Sequence, residues 1–266
     1  MTTEIDATEH DDVLLETLAD GVMQLRLNRP ERMNALGHEM SKRLLAAVQS
    51  ALAAKARVLL VRGTGRSFCA GADLKERRDM DAAQRAAHNA AINTFIHALA
   101  RAPVPTIAVI NGLALGGGCE LAMVCDMRVM AADATIGLTE TRIGAIPGAG
   151  GTQRLPRFIG AAHALELMMT GEPVSGTRAA EIGLVNWVVP PDQVDAKAQS
   201  MARVIASRSP VGLRQIKRLV YEGLELPLEQ GIARERESLL QVLSSKDYAE
   251  GLAAFAERRP PKFTGE

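Results

Sequence analysis

Two glutamates stand beside glycine-rich turns. Glu120 follows Gly116-Gly117-Gly118-Cys119, and Glu140 precedes a loop running from Gly144 to Gly151. Carboxylates in different surroundings can divide acid and base work between them. Val104 to Ile110 reads as a strand and Leu121 to Cys125 as a helix, so the triple glycine falls at a helix N-terminus. Free N–H groups there carry the positive end of the helix dipole and can stabilise an oxyanion. Glu120 then lies in the first turn beside that hole. The alternative is a plain tight turn whose glutamate merely suits the dipole. Glu140 has Ile136, Leu138 and Ile143 for neighbours. Desolvation among them raises a carboxyl pKa, as a proton donor needs. The alternative is a solvated glutamate pairing with Arg142 or Arg154.

A second glycine loop, Phe68 to Lys75, follows another strand and can offer a further N–H near Gly71. Cys69 within it is a candidate nucleophile, but no partner His or Asn is identifiable. A free cysteine is commonly a small buried residue. Phosphate-binding signatures fail. A dinucleotide fingerprint starting at Gly116 needs glycine where Leu121 stands, and one starting at Gly148 needs it where Gln153 stands. A P-loop needs a lysine that Gly151-Thr152 lacks.

The elements that must position these residues alternate. Val22 to Leu27 alternates apolar and polar residues, as a half-buried strand does. Helical spacing runs from Met40 to Ala54, followed by a short buried strand from Arg57 to Arg62. Asp81 to Ala100 is helical. Further strands are Val104 to Ile110, Met127 to Ala132 and Val185 to Val189. Strand–helix alternation implies an α/β fold with mainly parallel pairing. After Pro190-Pro191 only helices remain: Gln193 to Ser207, Pro210 to Glu222, Leu228 to Ser244 and Lys246 to Glu257. The expected division is a core with the active site over 1–195 and a helical subdomain over 196–266, covering the core or binding another subunit.

Composition narrows the function classes. Lys and Arg number 31, as do Asp and Glu, so the 266-residue chain has no cationic excess for a polyanion. Aromatics are 3%, too few for a base-stacking surface. No nucleic-acid partner is expected. The odd count of three cysteines suits a reducing compartment, and no metal-ligand spacing occurs. Met1 to Val13 is polar and acidic, unlike a targeting peptide, and Ala102 to Cys119 is too rich in Pro and Gly for a membrane helix. The expectation is a cytoplasmic protein that does not enter membranes.

The residues reached so far carry a family resemblance. Phe68 to Lys75, Asn111 to Asp126 and Pro147-Gly-Ala-Gly-Gly-Thr-Gln-Arg154 resemble the enoyl-CoA hydratase branch of the crotonase superfamily, as does Asn28-Arg-Pro-Glu-Arg-Met-Asn-Ala-Leu36. The resemblance spans about residues 13 to 263. It implies a crotonase-like spiral of ββα turns with a C-terminal helical trimerisation region. It implies an acyl-CoA thioester substrate, no separate cofactor, and a homotrimer or dimer of trimers. The reaction implied is addition of water to a trans-2-enoyl-CoA, giving a 3-hydroxyacyl-CoA in fatty-acid or branched amino-acid breakdown. The alternatives are a methylglutaconyl-CoA hydratase, or an enoyl-CoA isomerase or acyl-CoA hydrolase of the same fold.

By position in the motifs, the resemblance implies that the N–H groups of Ala72 and Gly117 form the oxyanion hole, that Glu120 activates the water and that Glu140 supplies the proton to Cα. It implies that coenzyme A lies along Arg32, Met33 and Ala35, along Ala70 and Ala72, and along Asp73, Leu74 and Lys75. It also implies that Phe255 and Arg258 close the adenine pocket from a neighbouring subunit. Ala70 to Arg77 and Leu155-Pro-Arg157 also resemble methylglutaconyl-CoA hydratases, whose substrate has a distal carboxylate. Arg77 or Arg78 can bind such a group; a solvated helix start is the alternative. The lysine-rich helix by which a relative binds RNA is not matched, since Met40 to Lys55 holds only Lys42, Arg43 and Lys55.

Overall fold

The computed structural model describes residues 12–266, so most of the polar segment Met1 to Val13 lies outside the described residues. The chain enters as an antiparallel pair, β1 (Val13–Thr17) and β2 (Val22–Leu27), followed by α1 (His38–Ala53). Three ββα turns then succeed one another. The first is β3 (Val58–Gly63), β4 (Ser67–Cys69), α2 (Leu74–Arg77) and α3 (Ala82–Ala100). The second is β5 (Thr106–Ile110), β6 (Leu113–Leu115) and α4 (Gly117–Val124). The third is β7 (Met127–Ala131), β8 (Thr135–Gly137) and α5 (Gly151–Thr170). Next come β9 (Val174–Ser175), α6 (Gly176–Glu181) and β10 (Trp187–Val189). Four helices end the chain: α7 (Val194–Ala206), α8 (Pro210–Gly223), α9 (Leu228–Leu243) and α10 (Lys246–Ala256).

Each turn gives one strand to each of two sheets. The large sheet has the order β1-β2-β3-β5-β7-β10, parallel from β2 onward; the small one is β4-β6-β8-β9. The spiral expected from the resemblance is therefore the observed fold. The large sheet is buried on both faces. Leu59, Val61, Ala108, Ile110 and Met130 face the core beneath α1, α3, α4 and α5. Val58, Leu60, Ile107, Val109 and Val129 face α7 through Val194, Ala198, Ala202 and Ala206. Two-sided burial explains the unbroken apolar runs in β3 and β5.

The half-buried reading of Val22 to Leu27 needs correction. Gln24 is buried among its apolar neighbours. Its amide and the Arg26 guanidinium both donate to Glu16 Oε2, at 2.7 and 2.8 Å. Polar alternation here reflects a cross-strand pairing with β1, not solvent. The 195/196 division falls in the first turn of α7, whose apolar stripe seals the large sheet. The helices α8 to α10 leave Ile216, Val220, Leu224, Leu240 and Phe255 exposed.

Candidate active site

Gly116 (φ 54°) turns β6 into α4, a turn that favours glycine. Its N–H donates to Gly137 O at 2.9 Å, tying the turn to β8. A Cβ on Gly118 would lie 2.0 Å from Cys69 O, so α4 starts directly against β4. This close approach buries Glu120 in the first turn at 3% exposure. Its Oε1 accepts the N–H of Ala149 at 2.7 Å and of Gly151 at 2.8 Å. Burial raises its pKa, while these N–H groups and the Arg154 charge oppose the rise. Arg154 reaches back from α5 to donate to Ala149 O at 2.9 Å.

Glu140 opens a short 3-10 turn from Glu140 to Ile143. Burial, with the charge of Glu120 as a lesser cause, pushes its pKa up to about 7. Its Oε2 is buried with no hydrogen-bond partner among the described residues. Its Oε1 would meet a Cβ on Gly116 at 3.2 Å, so the second carboxylate lies against the turn that carries the first. Pairing with Arg142 or Arg154 is not observed. Arg142 pairs with Glu172 at 2.6 Å, and Arg154 holds Ala149. Ile136 and Leu138 are buried as expected, whereas Ile143 is 59% exposed and contributes no enclosure.

Two backbone donors converge on the same place. Leu36 and Ala72 form a parallel bridge through Leu36 N to Gly71 O and Asp73 N to Leu36 O. Such a bridge leaves the intervening Ala72 N–H pointing the other way. Gly117 opens α4, so its N–H has no acceptor within the helix. A Cβ on Gly71 would lie 3.0 Å from Gly117 N, and one on Gly117 would lie 3.5 Å from Ala72 N. Gly71 itself sits at φ 93°. The two glycine loops thus bring the N–H groups of Ala72 and Gly117 together beside Glu120 and Glu140.

The loop before α1 frames the entrance. Asn34 (φ 56°) is fully buried and pins the loop by donating to Thr64 O and Ser67 O. Ala70 N donates to Met33 O, and Ala35 is buried beside it. Asp73 caps α2 through Lys75 N and Glu76 N and lies 3.6 and 3.9 Å from Arg29 and Arg32. Its carboxylate is occupied within the fold. Arg29, Arg32, Asp73 and Lys75 line a cavity of about 530 Å³, and Met33 and Leu74 expose apolar surface. Phe255 is 86% exposed and Arg258 is also exposed, so within one chain neither packs on these loops.

Cys69 is fully buried, with its thiol pushed up to about 12, which removes it as a nucleophile. Among the described residues no cluster suits a metal ion, and no helix is long and apolar enough to cross a membrane. The N–H groups of Ala149 and Gly151 are not singled out by the sequence, and Arg154, offered there only as a partner for Glu140, instead holds Ala149 O and acts on Glu120. The signal for them is a glycine-rich loop running into a helix, whose free N–H groups attract an anion.

Comparison with known proteins gives this geometry its context. The sequence profile described as enoyl-CoA hydratase/isomerase matches residues 17–266. The chain belongs to that family. A mouse (Mus musculus) relative named methylglutaconyl-CoA hydratase, mitochondrial, is 43% identical over 258 residues, covering 95% of this chain and 82% of the relative. The human (Homo sapiens) enoyl-CoA hydratase domain-containing protein 2, mitochondrial, is 42% identical, covering 92% and 86%. Among solved structures, an enoyl-CoA hydratase from Bacillus anthracis superposes with a TM-score of 0.93 at 41% identity, covering 96% of this chain and all of that one. That structure shares the spiral and the C-terminal helical region described above.

Proposed function

We propose that this protein adds water across the double bond of a trans-2-enoyl-CoA, giving a 3-hydroxyacyl-CoA. One observation carries the reading: two carboxylates with raised pKa flank a pair of converging backbone N–H groups. Attack of water at Cβ builds negative charge on the thioester oxygen. The N–H groups of Ala72 and Gly117 receive that charge, and each donor of this kind contributes about 3–4 kcal/mol. Glu120 takes a proton from the attacking water. Glu140, protonated at neutral pH to a useful extent by its value of about 7, delivers a proton to Cα. The hydroxyl and the proton together make one water, so no redox or metal cofactor is needed. Coenzyme A enters as part of the substrate. In the cleft, Arg29, Arg32, Lys75 and Arg78 outnumber the carboxylates Asp73 and Glu76, which suits its phosphates, and exposed Met33 and Leu74 suit its apolar arm.

The mouse relative's name brings a methylglutaconyl thioester within the same reading. An isomerase needs only to move a proton, and two separately enclosed carboxylates favour hydration over it. The exposed apolar residues of α8 to α10 support a homotrimer or dimer of trimers, in which Phe255 and Arg258 reach a neighbour's adenine pocket. Loss of conjugated enoyl absorbance across a panel of acyl-CoA thioesters tests the reaction. Failure of every 2-enoyl-CoA in the panel to hydrate overturns it.

A further inference from the structure

Among the described residues Arg128 is the one lysine or arginine buried in the core, at 3% exposure. It stands on β7 two residues before Met130, on the strand face turned toward the helices. An apolar side chain is the usual occupant of such a position. No carboxylate pairs with its guanidinium among the described residues. Asp126, two residues away, is held instead by Lys217 at 2.8 Å, by the N–H of Thr106 at 2.8 Å and by the Tyr221 hydroxyl at 3.0 Å. Burying a cation without a counter-ion is costly, so its other contacts must account for it.

Those contacts lie at the end of α4. Nη1 donates to Ala122 O at 3.2 Å and to Cys125 O at 2.8 Å, and Nε donates to Leu184 O at 2.8 Å. Ala122 and Cys125 belong to the last turn and C-cap of α4, where carbonyls lack partners within the helix. The guanidinium lies over the Phe158 ring, 4.6 Å from its centroid. Phe158 is on α5, one helical turn beyond Arg154. So α5 reaches α4 at both ends: at its start through the N–H of Gly151 on Glu120, and at its finish through Phe158 under Arg128.

The start of α4 supplies the Gly117 half of the oxyanion hole. The helix has eight residues. At that size it is only about 12 Å long, and its negative end stands close enough to weaken the positive field at its first N–H. A cation seated on the last carbonyls offsets that negative end. We propose that Arg128 is a positioning residue for hydration: it fixes and charges the far end of α4, so that the N–H of Gly117 is aimed and polarised for the thioester oxygen. The proposal rests on the hydratase reading for its reaction, and Arg128 acts through the helix, not against the substrate.

Butyryl-CoA, isotope-labelled at the thioester carbonyl, reads the oxyanion hole by infrared spectroscopy without turnover. On the wild-type protein its carbonyl stretch should move to lower frequency on binding, as two N–H donors draw charge onto the oxygen. Arg128→Gln and Arg128→Met are both neutral; one keeps a donor and the other keeps apolar bulk, and whichever retains the wild-type oligomer and a cooperative melt carries the test. In that variant the shift should shrink and kcat for trans-2-butenoyl-CoA should fall by about 3–30-fold. The Kd for butyryl-CoA should stay within about twofold, because the contribution grows with charge on the oxygen. Arg128→Lys restores a charge without the planar fork and should recover part of the shift and of kcat. If neither neutral variant assembles, Phe158→Leu, which removes the ring beneath the guanidinium, must show a smaller shift than wild type. A full shift in every folded variant overturns the proposal. So does an equal loss in kcat and in butyryl-CoA affinity, the mark of general loosening. If wild-type protein binds butyryl-CoA with no carbonyl shift, the oxyanion-hole reading itself fails, a result distinct from a wild-type shift that the variants keep.

Discussion

The N–H of Gly151 donates to Glu120 Oε1 at 2.8 Å, tying the start of α5 to the first turn of α4. The N–H of Ala149 joins it on the same oxygen. A buried carboxylate is thereby held in place by donors that also keep it ionisable. Glu120→Gln retains an oxygen for both donors, so Tm should change little while kcat falls by about 10²–10⁴. Glu120→Ala leaves two buried N–H groups unpaired, at about 1–3 kcal/mol each, and should lower Tm as well. Comparing the two variants by calorimetry and by turnover separates the chemical role from the structural one.

Glu140 predicts a pH dependence of both rate and stability. As the proton donor of the proposed reaction it must be protonated, so kcat/KM should fall as pH rises through about 7. As the base, Glu120 must be ionised, so the acidic limb belongs to it. For stability, the folded value of about 7 stands above the ordinary 4.5. The folded state then holds the proton more tightly than the unfolded one. The group's contribution is full below about pH 4.5 and is lost as pH rises through about 7. Glu140→Gln should therefore have a higher Tm than wild type above pH 7, with the gain vanishing at acid pH, while losing most of its activity. A Tm series across pH on both proteins checks this.

Neighbouring glycines should respond differently to one added methyl. A Cβ on Gly118 would stand 2.0 Å from the Cys69 carbonyl oxygen, a backbone atom that cannot step aside. A Cβ on Gly117 meets nothing nearer than 3.5 Å. Gly118→Ala should be strongly destabilised or insoluble. Gly117→Ala should fold with a Tm near wild type, yet lose activity by at least about tenfold because its methyl fills the space between the two oxyanion donors. Equal Tm values for the two variants would contradict the packing of α4 on β4.

The exposed stripe Ile216, Val220 and Leu224 recurs every four residues along α8, one face of a helix without a cover in the single chain. Ile216→Glu combined with Val220→Glu should shift the mass measured by light scattering from that of the proposed trimer or dimer of trimers toward the monomer. The cut that isolates the core belongs after α7, because Ala198, Ala202 and Ala206 seal the large sheet.

The long elements were legible because their periods are long enough to count. The strands β3 and β5 and the helices α1, α3 and α7 to α10 lie within a few residues of their expected places. The strands β4, β6 and β8 span three residues each, and no period shows in three residues. The helix α5 was hidden by Pro156 and by Gly160, whose φ of 76° and ψ of 161° break its regularity. At the site, the glutamates and glycines could be singled out because their residue types carry the chemistry. The bonds from Ala149 and Gly151 could not, since backbone N–H groups are the same in every residue and only the fold aims them.

Arg154 offers the last test, because it acts on Glu120 without being placed against substrate. It is half-buried, its Nη1 fixes the Ala149 carbonyl at 2.9 Å, and its charge opposes the burial-driven rise in the Glu120 pKa. Replacing it with leucine keeps much of the packing while removing the charge and the bond. The Glu120 pKa should then rise, since burial is opposed by fewer partners. The base is ionised only above its pKa, so the acidic limb of kcat/KM should move to higher pH, while the alkaline limb set by Glu140 moves little. Arg154→Lys restores a charge but not the planar donor geometry, so it should recover part of the limb shift. A purely structural role would lower the whole profile without moving the acidic limb, and that result would remove Arg154 from the positioning of Glu120.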